Sequence, residues 1–94
     1  MKLQDLLNRA ADIIQNHGWV QGHLGEPCVG FCMIGAINYA YSGFSYNKVV
    51  SDSLTSLLGG YRHVWEDWND HPKRRANQVI RQLRKFATKA KGNV

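Results

Sequence analysis

Cys32 is the residue whose type and place could do the sharpest chemistry in this chain. It stands where a glycine-rich loop meets the expected start of a helix, a position that lowers a thiol's pKa. His17, His23, His63 or His71 could serve as the base, with Asp67, Asn69 or Asp70 to orient it. Taken as an enzyme, the chain would use Cys32, His63 and Asp70, in the order Cys, His, acid found in cysteine hydrolases. No local nucleophile signature accompanies Cys32, and 94 residues leave little room for a substrate cleft. A free cysteine is commonly a small buried hydrophobe. The balance favours a protein without catalytic residues.

Zinc chemistry is the second candidate. Cys28 and Cys32 are spaced Cys-x3-Cys, and His17 and His23 fall in or beside the same loop. His63 and His71 do not have the spacing of a usual ligand pair. Spacing this loose arises by chance, so no metal and no cofactor are expected. A Cys28–Cys32 disulfide would close a tiny loop and stabilise little.

The third candidate is charge. Eight of the twelve Lys and Arg lie between Lys73 and Lys91, and no Asp or Glu follows Asp70. The formal charge is −3 over residues 1–70 and +8 over 71–94. A run of cations without acids points to an acidic or phosphate-bearing partner. Arg74, Arg75, Arg81, Arg84, Lys85 and Lys89 are the expected binding residues. They could meet an acidic protein groove or follow a nucleic-acid backbone. Phe86 is the single aromatic residue in the segment and falls on its buried side, so base stacking is not expected. A helix-turn-helix reading fails on the connector, which is too long and too rich in Trp, although Asn77 and Gln78 could read bases.

The elements that must position these residues are helical. Leu3, Leu6, Leu7, Ala10, Ile13 and Ile14 place one apolar face on a helix from about residue 2 to 17, with Gly18 as a left-handed cap. Four glycines and Pro27 make 18–30 a loop or short irregular hairpin, from which Trp19 and Leu24 fold back onto the core. A second helix is predicted from Phe31 to Tyr41, with Met33, Ala36, Ile37 and Ala40 inward and Gly35-Ala36 letting another helix approach. Ser45 or Asn47 would cap a third helix carrying Val50, Leu54, Leu57 and Leu58, stopped by Gly59-Gly60. Residues 61–68 read as a connector with a short helical turn at most. Asp70 as N-cap and Pro72 in the first turn would open the last helix, buried along Ala76, Val79, Ile80, Leu83, Phe86, Ala87 and Ala90.

In the Trp65-to-Asp70 cluster each residue type suits a local need. Trp68 would wedge between helices, Asn69 satisfy loop backbone and Asp70 cap the last helix. A binding surface using Trp65, Glu66 and Asp67 is the less favoured reading.

The expected architecture is an all-α single domain over 1–94: four helices, the first, third and fourth packed around the second, with 92–94 frayed. The loop 18–30 and connector 59–71 should meet, bringing Trp19, Cys32 and Trp68 together. The longest apolar stretch, Phe31 to Ala40, is too short to span a bilayer. The N-terminus enters an amphipathic pattern without a signal peptide's apolar run, so the chain reads as cytoplasmic.

Trp19-Val20-Gln21-Gly22, then Cys32-Met33-Ile34-Gly35-Ala36-Ile37, then Trp68-Asn69-Asp70 follow one another in order. This set resembles a family of small uncharacterised bacterial and bacteriophage proteins, a domain of unknown function, over roughly residues 19–83. The resemblance implies a fold class and a bacterial or phage setting, with no activity attached. It also implies that Cys32, Gly35, Asn69 and Asp70 converge in space. The function expected from all of this is a non-enzymatic binding module, a phage accessory protein docking an acidic host protein through residues 73–91. A small nucleic-acid-binding protein is the alternative and a cysteine-dependent enzyme the third.

Overall fold

Residues 3, 6, 7, 10, 11 and 14 share one side of α1 (Leu3–His17), and all six are buried there. Ile13, expected inward, lies at the edge of that stripe and is half-buried. The computed structural model describes residues 1–60 and 62–94; for 54–57 it describes the backbone helix alone. The first helix has no side-chain cap at Lys2. Its leading amide, Leu3 N–H, instead donates to the Gly92 carbonyl at 3.0 Å, and Val94 N–H donates to Met1 O at 3.0 Å. Residues 92–94, expected to fray, are therefore tied to the N-terminus, with Lys2 and Asn93 forming a bridge.

The segment after α1 is a small hairpin, β1 (Gly25–Glu26) antiparallel to β2 (Gly30–Phe31). Gly18 has φ 100° and ψ 172°, positive but outside the helical left-handed region that a simple cap would use. Its carbonyl accepts Phe31 N–H at 3.0 Å, and a side chain at Gly30 would collide with the Gly18 backbone.

The second helix, α2 (Met33–Ser42), starts two residues later than expected because Phe31 belongs to β2 and Cys32 is the cap. Met33, Ile34, Ala36, Ile37 and Ala40 are buried, so it is covered on nearly every side. The Leu24 backbone approaches Gly35, and a Cβ at 35 would overlap the Leu24 carbonyl oxygen. Asn47 caps α3 (Lys48–Leu58), its Oδ1 accepting Val50 N–H at 3.1 Å. Leu54, Leu57 and Tyr61 lie outside the residues whose side chains are described.

Two expectations fail together in the connector. Residues 62–70 form a full helix, α4 (Arg62–Asp70), so among the described residues there are five helices and a two-stranded sheet rather than four helices alone. The alternation of Tyr61, His63 and Trp65 concealed an inward face made by Trp65, Trp68 and Asn69 at i, i+3 and i+4. Asp70 consequently ends α4 and does not cap the last helix. Pro72 sits in the following turn, where Arg74 N–H donates to His71 O at 2.9 Å.

The last helix, α5 (Ala76–Lys89), begins at Ala76, with Gln78 Oε1 accepting Arg75 N–H at 2.8 Å. Val79, Leu83 and Ala87 are its buried centre, flanked by half-buried Ala76, Ile80, Phe86 and Ala90. It packs along α1 rather than around α2. The first helix is thus the shared wall between α5 and α2. No helix among the described residues is long and apolar enough to cross a membrane.

Candidate functional site

Asn69 is completely buried and uses every hydrogen-bonding site of its side chain. Its Oδ1 accepts the Trp19 indole N–H at 2.8 Å and Met33 N–H at 3.0 Å. Its Nδ2 donates to Val20 O at 3.1 Å and to Asp70 Oδ1 at 2.9 Å. Gln21 Nε2 adds bonds to the carbonyls of Asn69 at 3.1 Å and His71 at 2.9 Å, covering acceptors that the end of α4 leaves open. Gly22 N–H completes the join on Asp70 Oδ1 at 3.0 Å. The loop, the start of α2 and the end of α4 are thereby pinned to one another.

Beside this joint lies a cleft of about 250 Å³. His23 and Leu24 line one side of it and Arg62, Glu66 and Asp70 the other, with Cys32 the most buried residue in its wall. Arg62, Glu66 and Asp70 recur every four residues, so they share one face of α4. Arg62 Nε pairs with Glu66 Oε1 at 2.7 Å.

Cys32 caps α2, and its Sγ accepts Gly35 N–H at 3.3 Å. The sequence places this thiol where a helix terminus should activate it. Burial outweighs that effect and pushes its pKa up; the Gly35 and Ile34 amides pull it down, and the negative charges of Asp70 and Glu66 add to the rise. The thiol is protonated at neutral pH, which opposes its use as a nucleophile.

Of the three residues an enzyme would need, Cys32 and Asp70 do meet in the cleft. His63 is exposed on α4 and is not among the cleft-lining residues; His23 takes its place there. The sequence offers His23 as one of four candidate bases for Cys32, whereas Arg62 was not recognised as a cleft residue. The four-residue repeat of Arg62, Glu66 and Asp70 was available as a signal, but only to a reader who took that segment as helical. Cys28 is exposed and Cys32 buried, both as free thiols. Among the described residues no three His, Cys, Asp or Glu side chains converge as metal ligands. His17 Nδ1 is bonded to Pro27 O at 3.2 Å.

The basic helix divides into two groups. Arg84 reaches across to α1, with Nη2 to Asp12 Oδ1 at 2.6 Å and Nη1 to Asn8 Oδ1 at 3.3 Å. Arg74 stacks 3.8 Å over the Trp68 ring and donates Nε–H to Trp68 O at 2.8 Å. These two expected binding residues serve the fold. Arg75, Arg81, Lys85 and Lys89 are exposed, and among the described residues none has an acidic partner. Arg81, Lys85 and Lys89 stand four residues apart, in a row about 12 Å long.

A family model described as a family of unknown function, DUF6197, matches residues 1–89. The chain belongs to that family. The match takes in α1, the joint at Asn69, the cleft and all of α5. No curated protein and no solved structure matches the chain.

Proposed function

We infer that this domain is a non-enzymatic binding module that docks an acidic protein through the exposed row Arg81, Lys85 and Lys89, with Arg75 at its N-terminal end. The observation that carries this reading is the row itself: exposed cations at one helical spacing with no acidic partner among the described residues. A partner helix bearing carboxylates every fourth residue has the matching period. The half-buried Phe86 ring packs 5.1 Å from Trp65 and offers no platform for bases. The resemblance read from the sequence supports a bacterial or bacteriophage protein acting in the host cytoplasm, with a host component as its partner.

The test is anisotropy of a labelled helical peptide with Glu every fourth residue, beside mixed-sequence duplex DNA and single-stranded RNA, at low and near-physiological salt. Peptide binding that persists at the higher salt and falls more than tenfold in Arg81→Glu/Lys85→Glu/Lys89→Glu supports the reading. Tight nucleic-acid binding whose logarithm falls with salt at a slope of roughly 0.9 per phosphate contact replaces it with the alternative. Binding to neither probe removes it.

A further inference from the structure

We propose that the cleft between Cys32 and α4 binds a small organic ammonium compound that also carries a hydroxyl or carbonyl oxygen. The reading is independent of the basic helix, since the two sites share no residue.

The cleft holds two groups whose hydrogen-bonding capacity the protein leaves open. Cys32 is only 4% exposed yet lines the cleft. Its Sγ accepts the Gly35 amide, but its S–H has no acceptor among the described residues. An S–H is a weak donor, and a ligand oxygen in the cleft would give it an acceptor that the protein does not. Asp70 is the second group. Gly22 N–H and Asn69 Nδ2 both donate to its Oδ1, and its Oδ2 receives no donor among the described residues.

Charge then selects the ligand. Glu66 is paired with Arg62 at 2.7 Å, whereas Asp70 has no ion-pair partner among the described residues. Arg62, Glu66 and Asp70 together give the lining one unbalanced negative charge. A cation is favoured and an anion disfavoured. A metal ion is the poorer fit, because no three ligating side chains converge among the described residues. An ammonium group supplies N–H donors to Asp70 Oδ2, and an oxygen two carbon atoms away from it, as in ethanolamine, is the acceptor that the Cys32 S–H lacks. About 250 Å³ accommodates a compound of this size together with some water, at about 30 Å³ per water molecule.

The experiment uses the full 15N-labelled chain near neutral pH, titrated separately with ethanolamine, ethylamine and acetate. The amide signals of Gly22 and Gly35 and the Asn69 side-chain amide report on the cleft. Ethanolamine should give saturating shifts at these positions, ethylamine should bind several-fold more weakly, and acetate should not bind. Asp70→Asn keeps an acceptor for Gly22 N–H, removes the charge and should weaken ethanolamine at least tenfold. If that variant loses its dispersed spectrum, Glu66→Gln makes the comparison, because it frees Arg62 to neutralise Asp70 and should weaken binding several-fold. The proposal is overturned if ethanolamine shows no saturation up to about 10 mM, a generous ceiling for a fragment-sized ligand. Equal binding of acetate, or affinity unchanged in the folded variant, overturns it as well.

Discussion

Asn69 Oδ1 accepts the Trp19 indole N–H at 2.8 Å across fifty residues of sequence, while also accepting the first amide of α2. One carboxamide therefore sets the spacing of three segments. Removing it leaves a buried donor at Met33 and part-buried groups at Trp19 and Val20 without partners.

Asn69→Ala should therefore cost about 2–4 kcal/mol, since each buried group left unpaired costs on the order of 1–3 kcal/mol and some relaxation is expected. Denaturant midpoints measure it, and a red shift of Trp emission should accompany the loss. A midpoint within error of wild type would show that the joint contributes nothing.

Gly35→Ala should be among the most damaging single-methyl additions in the chain. The new Cβ meets the Leu24 carbonyl, and Leu24 O also accepts Cys32 N–H at 3.1 Å, so the loop cannot withdraw without losing a bond. Overpacking of this kind costs about 1–3 kcal/mol, occasionally more. Thermal unfolding of Gly35→Ala beside Gly92→Ala, where a Cβ meets nothing within contact range but φ is +87°, separates a collision with the Leu24 backbone from the backbone strain of a positive φ.

The two thiols should react very differently. Cys28 is exposed, so alkylation near neutral pH should modify it and leave Cys32 intact until the chain unfolds. Labelling of Cys32 at the rate of Cys28 would revive the catalytic reading.

The Cys32 thiol also links stability to pH. Its pKa is raised in the folded state, so the folded state holds the proton more tightly than the unfolded chain. The resulting stability is present below the unfolded thiol's pKa and is lost as pH rises through the folded one. Cys32→Ser, which retains a capping oxygen, should flatten that alkaline decline when denaturant midpoints are compared between about pH 7 and 10.

Arg84→Ala should cost less than about 1 kcal/mol, because both it and Asp12 are substantially exposed and screened by solvent. A double-mutant cycle with Asp12→Ala isolates the pair, and Arg81→Ala should leave stability unchanged. A larger coupling would mean that the α1–α5 contact depends on this bond more than on Leu83 and Val79.

The elements whose apolar residues recur at one period over many turns follow from the order of the amino acids alone. The buried faces of α1 and α5 follow from Leu6, Leu7, Ile14, Val79 and Leu83, because a 3.6-residue repeat leaves a helix one way to bury them. The charge asymmetry was equally plain. Asn69 was legible as a residue that satisfies loop backbone, and the meeting of loop 18–30 with the end of α4 was expected. Tertiary structure decided the rest. A nine-residue helix such as α4 is too short to declare itself when its core side is Trp65, Trp68 and Asn69 and its partner surface comes from residues far away in sequence. Asp70 suits a helix N-cap by type, yet its Oδ1 goes to Gly22, a choice made by proximity across the fold. The thiol of Cys32 sits at a helix terminus, as its position implies, but desolvation depends on what packs over it. Likewise Arg84 and Lys85 are adjacent cations in the chain, and only the packing of α5 on α1 pairs one with Asp12 and leaves the other facing solvent.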